Sequence, residues 1–276
     1  MYPPVVCLTD CHDPNATARL GARIATLFGQ APVMVPLAGT SVSTSAALTL
    51  LDTLLATGRL GCQPYPITVL VNIAPRDGQW PNGAPFCYFR YGQHLVVSTF
   101  SPEVFALVRT HLGVDRVYVT DIDEAVRAAD GAWATFAPGE VDHIVQTQFR
   151  SLWYLPLLAR WVCDGRPVPV VQTPIDAPDQ MDGAVVAVVD NFGNCKLNRS
   201  ATEIGFVAGS TRKVATYRDG WADGRREVSC YQHLREVPVG EAGLIVGSSG
   251  HDFVELVVGC GSAAETFGLV VGAEVL

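Results

Sequence analysis

An aspartate stands where the first apolar stretch of the chain ends. Residues 5–8 are apolar, and Asp10 follows them in the segment Thr9-Asp10-Cys11-His12, just before a helical pattern begins. Ligands of open α/β sheets bind at the carboxyl ends of the strands, where a carboxylate can accept two charge-assisted hydrogen bonds from a ribose diol. The alternative interpretation is a loop aspartate that caps the following helix.

A second acidic segment, Asp190-Asn191-Phe192-Gly193-Asn194, follows the apolar residues 185–189. Asp-Asn and Gly-Asn pairs are common in turns, so an ordinary hairpin turn is one interpretation. Phe192 is unusual because it places an aromatic ring inside a polar turn. That ring suits either stacking on the ring of a ligand or filling a domain interface.

Two glycine-rich segments near the end of the chain offer backbone groups to a ligand. Gly247-Ser248-Ser249-Gly250 follows an apolar stretch, and such a turn can present N–H groups and hydroxyls to a carboxylate. It lacks the lysine pattern of a phosphate loop. In Cys260-Gly261-Ser262-Ala263-Ala264 the small residues indicate either tight backbone contacts or the close approach of a ligand.

The elements that must position these residues change character along the chain. In the first half, apolar stretches at 5–8, 33–37 and 67–74 alternate with helical patterns at 15–28 and 45–57, and a hairpin is predicted at 86–99. A nearly all-apolar strand such as 67–74 is typical of a parallel sheet covered by helices. Asp13 is the predicted N-cap of the first helix, with Pro14 at its first position and Gly29 at its end.

The second half reads as an all-β domain. Residues 165–183 contain four prolines and several aspartates, which is typical of a linker. Short strands are predicted beyond it at 184–189, 203–207, 213–217, 244–246 and 253–258. We therefore predict an N-terminal α/β sheet domain with helices on both faces (1–165), a linker (166–183) and a small C-terminal β-barrel domain (184–276).

Composition excludes several classes of protein. The 276 residues are 49% apolar and carry a net charge of −8, which argues against a nucleic-acid-binding face. The eight cysteines are scattered singly and fit no zinc spacing, so we predict free thiols and no metal. Because neither a signal peptide nor an 18-residue apolar run is found, we expect a cytoplasmic protein without membrane contact.

Together these segments resemble one family, the S-adenosylmethionine (SAM) halogenases and hydroxide adenosyltransferases. Residues 190–194, with Asn198, resemble its "D-x-F-G-N-x-x-x-N" turn, and residues 247–269 resemble its C-terminal "GSSG…LEIAV…GSAAE…GL" run. Order and spacing match except for a two-residue insertion, His251-Asp252. Leu8-Thr9-Asp10 resembles the family's opening "LTD". The resemblance spans the chain and is weakest between residues 13 and 150.

The resemblance implies SAM as substrate or ligand, with no other cofactor, and a homotrimer in which the ligand lies between the N-terminal domain of one subunit and the C-terminal domain of the next. Asp10 would bind the ribose hydroxyls, and Asp190 the methionine amino group. The adenine would contact Phe192, Asn194, the ring of Tyr231 and the backbone of Val258 and Cys260. Ser248, with its neighbour Ser249, would contact the methionine end.

The chain departs from the family where its members activate water. The aspartate expected after the third strand is replaced by Ala74, and the histidine of the "TFHGRD"-like segment is replaced by Phe149. Asp77 is displaced by three residues. If the chain activates water with other residues, the candidates are Asp77, Arg76 and His143. A halide would need only a desolvated site lined by hydrogen-bond donors, which Arg150 or Ser151 would provide.

Two hypotheses follow. In the first, the protein is an enzyme that displaces methionine from SAM C5′ with water or a halide, giving adenosine or 5′-halo-adenosine. The sulfonium is already an activated leaving group, so the site has only to desolvate and align the nucleophile. In the second, the protein binds SAM or an adenosine derivative without turnover, having lost the water-activating residues.

Overall fold

A computed structural model describes residues 1–37, 39, 41–57, 65–74, 83–176 and 183–276 of the chain. The chain divides into two compact units. The first comprises Met1–Leu37 and Thr49–Ala177, and the second comprises Ala38–Leu48 and Pro178–Leu276. The mixed α/β class predicted from the sequence is confirmed.

The first unit is built on a seven-stranded sheet with the order β2-β1-β3-β5-β4-β6-β7. Strands β1, β2, β3 and β5 are mutually parallel, whereas β4 runs antiparallel to both β5 and β6, and β7 antiparallel to β6. Every residue of β3 is buried, as expected for a strand covered on both faces. The strands are β1 (Val5–Thr9), β2 (Val33–Pro36), β3 (Thr68–Asn72), β4 (Phe86–Tyr91), β5 (His94–Thr99), β6 (Arg116–Thr120) and β7 (Val171–Pro174).

Helices cover both faces of this sheet, as predicted. On one face, apolar residues of α1, α4, α5, α6 and α7 form a single core cluster with β1, β3, β4 and β5. On the other face, the ring of Phe105 in α3 packs edge-to-face against the ring of Phe89 in β4, with 6.2 Å between the ring centroids. The helices are α1 (Pro14–Phe28), α2 (Val42–Ala56), α3 (Pro102–Leu112), α4 (Ile122–Ala129), α5 (Glu140–Gln146), α6 (Arg150–Trp153) and α7 (Leu155–Cys163).

Local sequence fixes the ends of α1. The Asp13 carboxylate accepts hydrogen bonds from the backbone N–H groups of Asn15 and Ala16, both at 3.0 Å, and Pro14 occupies the first turn. Gly29 closes the helix in the left-handed conformation, with φ +70°. The predicted caps of this helix are therefore confirmed, and its start places Asp10 in the short loop between β1 and α1.

The second unit is a six-stranded sheet with the order β10-β11-β12-β13-β9-β8, curled into a half-barrel. The C-terminal segment closes the curl: the Val275 N–H donates to the Ala184 carbonyl at the β8 side, and the Ala215 N–H of β10 donates to the Val275 carbonyl. The elements are β8 (Val186–Val189), β9 (Cys195–Ser200), β10 (Thr211–Arg218), β11 (Trp221–Cys230), β12 (Ala242–Val246), β13 (Phe253–Val258) and α8 (Ala263–Phe267).

One predicted strand of this unit is wrong. Residues 203–207 form turns. The Glu203 carboxylate accepts a hydrogen bond from the Ser200 N–H at 2.7 Å, and the Phe206 N–H donates to the Ala201 carbonyl. These local bonds satisfy the backbone without a partner strand. Strands β9 and β11, in turn, were not predicted. Within the described part of the chain, no helix has the length and apolar character needed to cross a bilayer.

Candidate functional site

Asp10 lies at the carboxyl end of β1, and neighbouring backbone holds its side chain in place. Its N–H donates to the Asn72 carbonyl at 3.1 Å, and its Oδ2 accepts the Ala74 N–H at 2.8 Å. The Cys11 thiol lies 3.5 Å from Oδ1. Asp10 is only partly buried, so its remaining acceptor sites are available to a ligand.

The contact between Asp10 and Ala74 marks the switch point of the sheet. The chain runs from β1 through α1 to β2 on one side, and then through α2 to β3 on the other side of β1. These two successive connections lead to opposite sides of β1. Such a reversal opens a crevice at the carboxyl ends of the strands, which is where open α/β sheets bind ligands. Asp10 therefore lies where open α/β sheets bind ligands, and the helix-capping role belongs to Asp13.

Asn72, which the sequence places near the missing family aspartate, is committed to the sheet. Its side-chain amide donates to the Thr9 hydroxyl at 2.8 Å, and the residue is 2% exposed. Asp77 and Arg76 lie outside the described residues. His143, the third candidate for activating water, is exposed on α5. Its ring packs edge-to-face against Trp153, with 5.0 Å between the ring centroids.

Arg150 and Ser151 begin α6, in the same unit as Asp10. The Arg150 guanidinium is partly buried, and burial lowers its pKa. It lines a cavity of about 660 Å³ at the edge where β6 ends and β4 begins. Phe149, at the position of the family histidine, lies beneath the guanidinium of Arg19, whose Cζ is 5.6 Å from the ring centroid.

In the second unit, the Asp190 carboxylate organises its own turn. Oδ1 accepts the N–H groups of Phe192 at 2.8 Å and Asn194 at 2.9 Å, and Oδ2 accepts the Asn194 side-chain amide at 2.9 Å. A carboxylate offers about four lone-pair sites, so one site on Oδ2 is left for a ligand amine. Phe192, at the tip of the turn, is 71% exposed.

The Asp190 turn rests against the start of α8. The Ala264 N–H donates to the Gly193 carbonyl at 2.9 Å, and a Cβ added to Gly193 would lie 2.6 Å from Ser262 Cβ. Ser262 in turn caps α8 by accepting the Glu265 N–H at 3.1 Å. The fold thus brings together two segments, 190–194 and 260–264, that are far apart in sequence.

Cys260 has a backbone suited to reading the edge of a base. It adopts the left-handed conformation with φ +57° and is exposed. Among the described residues, neither its N–H nor its carbonyl makes a backbone hydrogen bond. Val258, two residues earlier, is 7% exposed, and its carbonyl already accepts the Gly261 N–H at 3.1 Å.

Tyr231 packs in a small apolar cluster on the side of the sheet opposite the main core of this unit. Its ring contacts Val237, Ile245 and Val257, and a Cβ added to Gly243 would lie 2.7 Å from the ring. Its backbone N–H donates to the Leu244 carbonyl at 2.8 Å. The ring is therefore anchored along one edge and partly exposed.

Ser248 and Ser249 lie at the other end of β13. Because Leu256 pairs with Cys195, the turn at 190–194 lies beyond the Val258 end of this strand, whereas the turn at 247–250 precedes Phe253. Ser248 is exposed and Ser249 is 7% exposed. The structure therefore groups Asp190 and Asn194 near Val258 and Cys260, and keeps the two serines apart from them.

Three features of the site were not predicted from the sequence. The hydrogen bond from the Ala74 N–H to the Asp10 carboxylate exists because β1 and β3 are neighbours in the sheet, and no local sequence pattern reveals that pairing. The Ser262 cap had a detectable signal, because Ser262 is followed three residues later by Glu265. The left-handed Cys260 had none, because this conformation is uncommon for residues other than glycine.

Comparison with known proteins identifies the second unit. Residues 184–276 match the SAM hydroxide adenosyltransferase C-terminal domain. No curated protein matches the chain.

Two solved structures share the fold over nearly the full length. The crystal structure of an uncharacterized conserved protein from Thermotoga maritima is 15% identical, covers 98% of both chains and superposes with a TM-score of 0.65. That of a conserved hypothetical protein from Thermus thermophilus is 20% identical, covers 100% of both chains and gives a TM-score of 0.57. At these identities the likeness shows the fold.

The chain thus combines an α/β unit that has an aspartate at its switch point with a C-terminal domain related to SAM chemistry. On this match, residues 184–276 form a domain of the SAM hydroxide adenosyltransferase family. In this family SAM is the substrate, and no other cofactor is indicated.

Proposed function

We propose that the protein binds SAM and catalyses nucleophilic displacement at its C5′ carbon. The observation that carries this proposal is the assembled cluster of the Asp190 turn, Ser262 and Cys260, inside the unit that matches the family. The spare lone pair of Asp190 accepts the methionine amino group, and the unpaired backbone of Cys260 reads the adenine edge. Phe192, Asn194, Tyr231 and Val258 line the adenine side.

Asp10 takes the ribose hydroxyls in this proposal. The Ala74 N–H orients its carboxylate at the switch point, and charge-assisted hydrogen bonds to two hydroxyls use the acceptor sites that remain. Following the family resemblance, we propose a homotrimer in which Asp10 of one subunit and Asp190 of the next hold one SAM. The partner is thus a second copy of this chain, and the ligand a small molecule.

In the reaction, the nucleophile forms a bond to C5′ while the C5′–S bond breaks and its electron pair remains on sulfur, which releases methionine. Water gives adenosine and must also lose a proton, whereas a halide gives 5′-halo-adenosine without proton transfer. We propose water as the first nucleophile and a halide as the second. Arg150, Ser151 and Asp77 are the proposed residues around the nucleophile.

One experiment tests this proposal directly. Purified protein is incubated with SAM in buffers that contain either chloride or only a non-halide salt, and the products are separated by chromatography. Methionine together with adenosine in both buffers indicates water, and 5′-chloro-adenosine only with chloride indicates a halide. Protein-free buffer and heat-denatured protein serve as the controls for non-enzymatic breakdown of SAM, and no product above those controls contradicts an enzymatic function.

A second candidate, SAM or adenosine binding without turnover, is favoured by one observation. At the position of the family's water-activating aspartate, Ala74 contributes only its backbone N–H, which donates to Asp10. Calorimetric binding of SAM without product in either buffer would support this candidate, and measurable turnover would exclude it.

A further inference from the structure

A cavity lies in the first unit beside strands β4 and β6. Phe86 of β4 pairs with Thr120 of β6, so the residues just before β4 and just after β6 meet at one edge. The cavity measures about 660 Å³, which lies within the range of sites for small organic ligands and is far larger than a single water or halide needs. Its walls include Gly83, Pro85, Asp121, Val145, Gln148 and Arg150.

The Arg150 side chain reaches this cavity by passing directly over Gly83. A Cβ added at Gly83 would fall 2.7 Å from Arg150 Cζ and closer still to one of its terminal nitrogens. Gly83 also has φ +74°, which disfavours any other residue. The glycine therefore gives the guanidinium the space that it occupies.

This guanidinium has no partner within the part of the chain that the structure describes. No hydrogen bond or ion pair involves its five N–H donors, although the side chain is partly buried and its pKa is lowered by that burial. Other arginines of this unit pair with carboxylates, as Arg127 does with Asp123 at 2.7 Å and Arg160 with Asp164 at 2.9 Å. Removing a charge from water without compensation is costly, so a partly buried, unpaired arginine suits an external anion.

The rest of the wall limits the charge and shape of that anion. Asp121 caps α4 by accepting the Glu124 N–H at 2.9 Å, and Asp123 already pairs with Arg127. These two carboxylates and a single cation line the cavity, so repulsion disfavours a multiply charged anion such as phosphate. Pro85 and Val145 add apolar surface that suits a carbon skeleton.

We propose that this cavity binds a small organic monocarboxylate, whose two oxygens accept a bidentate hydrogen-bond pair from Arg150. The fork of the guanidinium matches the geometry of a carboxylate, and the apolar wall contacts the body of the molecule. This site shares Arg150 with the nucleophile position of the proposed function, but none of its residues is assigned to hold the nucleoside or the methionine.

Benzoate is a suitable probe because it combines one carboxylate with an apolar ring, and benzamide is its neutral counterpart of the same shape. Calorimetric titration of the full chain is expected to show saturable binding of benzoate and at least tenfold weaker binding of benzamide. R150Q is expected to weaken benzoate binding at least tenfold. R150K, which keeps the charge but loses the fork, is expected to give an intermediate loss.

The matched control is R166Q, which removes an exposed arginine from the same unit and should leave benzoate binding unchanged. D10N should also retain benzoate binding even where it loses SAM, so a failure of the SAM proposal is distinguishable from a failure of this one. Equal binding of benzoate and benzamide, unchanged binding by R150Q, or tighter binding of inorganic phosphate than of benzoate would each overturn the proposal.

Discussion

Backbone groups of β3 and of the loop after it hold Asp10 in place. Two backbone bonds, from its own N–H to Asn72 and from Ala74 to its Oδ2, fix the residue relative to β3. Neither of these bonds consumes Oδ1, the oxygen beside Cys11. The orientation of the Asp10 side chain is thus set by hydrogen bonds to the backbone. The binding role proposed for Asp10 depends instead on the charge of its carboxylate.

Replacing Asp10 by asparagine therefore separates charge from shape. The D10N side chain keeps an oxygen that can accept the Ala74 N–H, but loses the charge that strengthens bonds to ribose hydroxyls. Hydrogen bonds to charged groups contribute about 1.5–3 kcal/mol, so we expect SAM affinity to fall by roughly 10- to 150-fold in calorimetry. D13N is the matched control, because asparagine caps helices as well as aspartate does, and unchanged affinity in D10N would contradict the ribose assignment.

The cysteines differ sharply in exposure. Cys260 is exposed, whereas Cys7, Cys87, Cys195 and Cys230 are buried. Burial raises the pKa of Cys7 to about 12, and burial together with the negative charge of Asp190 raises the pKa of Cys195 to about 12. Cys7 and Cys195 therefore hold little of the reactive thiolate at neutral pH.

Alkylation of the folded protein with iodoacetamide is accordingly expected to modify Cys260 before the buried thiols, as read by peptide mass spectrometry. Because the backbone of Cys260 is proposed to contact adenine, saturating SAM should slow its modification several-fold. A buried thiol such as Cys7 that reacts as fast as Cys260 would contradict the structure. Modification of Cys260 at the same rate with and without SAM would contradict its place in the adenine site.

At the scale of elements, the site in the second unit depends on a turn and a short helix that support each other. The turn at 190–194 needs a left-handed glycine at its fourth position, and Gly193 has φ +81°. That glycine also permits the close contact with Ser262, whose hydroxyl caps α8. Disturbing this contact should therefore affect both the turn and the helix.

Alanine substitutions at Gly193 and Gly240 separate the effect of the Gly193–Ser262 contact from the effect of backbone strain. Gly240 has almost the same φ, +78°, but nothing lies within 4 Å of a Cβ added there. In urea denaturation we expect G240A to lower the free energy of unfolding by about 1–2 kcal/mol, the cost of a left-handed non-glycine residue. G193A should cost about 1–3 kcal/mol more because of overpacking against Ser262. Equal losses in the two variants would show that the contact with Ser262 is unimportant.

Elements differed in how well local sequence specified them. The hairpin of β4 and β5 has the bounds that its apolar pattern and flanking turn residues predict. Residues 150–163 form two helices, α6 and α7, divided at Tyr154, because Pro156 has no N–H to continue α6 and instead occupies the first turn of α7. Strand β11 was not predicted because its residues 221–227 are exposed and four of them are charged, and it is held by its pairing with β10.

At the scale of the whole molecule, we propose a pocket that takes residues from two copies of the chain. Asp10 belongs to the first compact unit and Asp190 to the second. The homotrimer implied by the family resemblance would unite them across a subunit boundary. That arrangement makes a prediction that a pocket formed within one chain does not make.

Mixing two inactive variants distinguishes these arrangements. D10N and D190N each remove one wall of the pocket, and neither is expected to bind SAM well alone. If each pocket takes Asp10 from one subunit and Asp190 from the next, refolding an equal mixture should restore roughly a quarter of the wild-type sites in calorimetry. Light scattering should give three times the chain mass of 29.5 kDa. A mixture that restores no sites, or a monomeric mass, would contradict the shared pocket.

The sequence by itself determined the fold class, the caps of α1 and the turn chemistry at 190–194, because these depend on hydrophobic periodicity and on hydrogen bonds between residues close in the chain. Only the tertiary structure decided that Ala74 orients Asp10, that Ser262 supports Gly193 and that Arg150 passes over Gly83 into a cavity. Each of these contacts joins residues at least 64 positions apart. They follow from strand order and from the space that a glycine leaves, which local sequence does not specify.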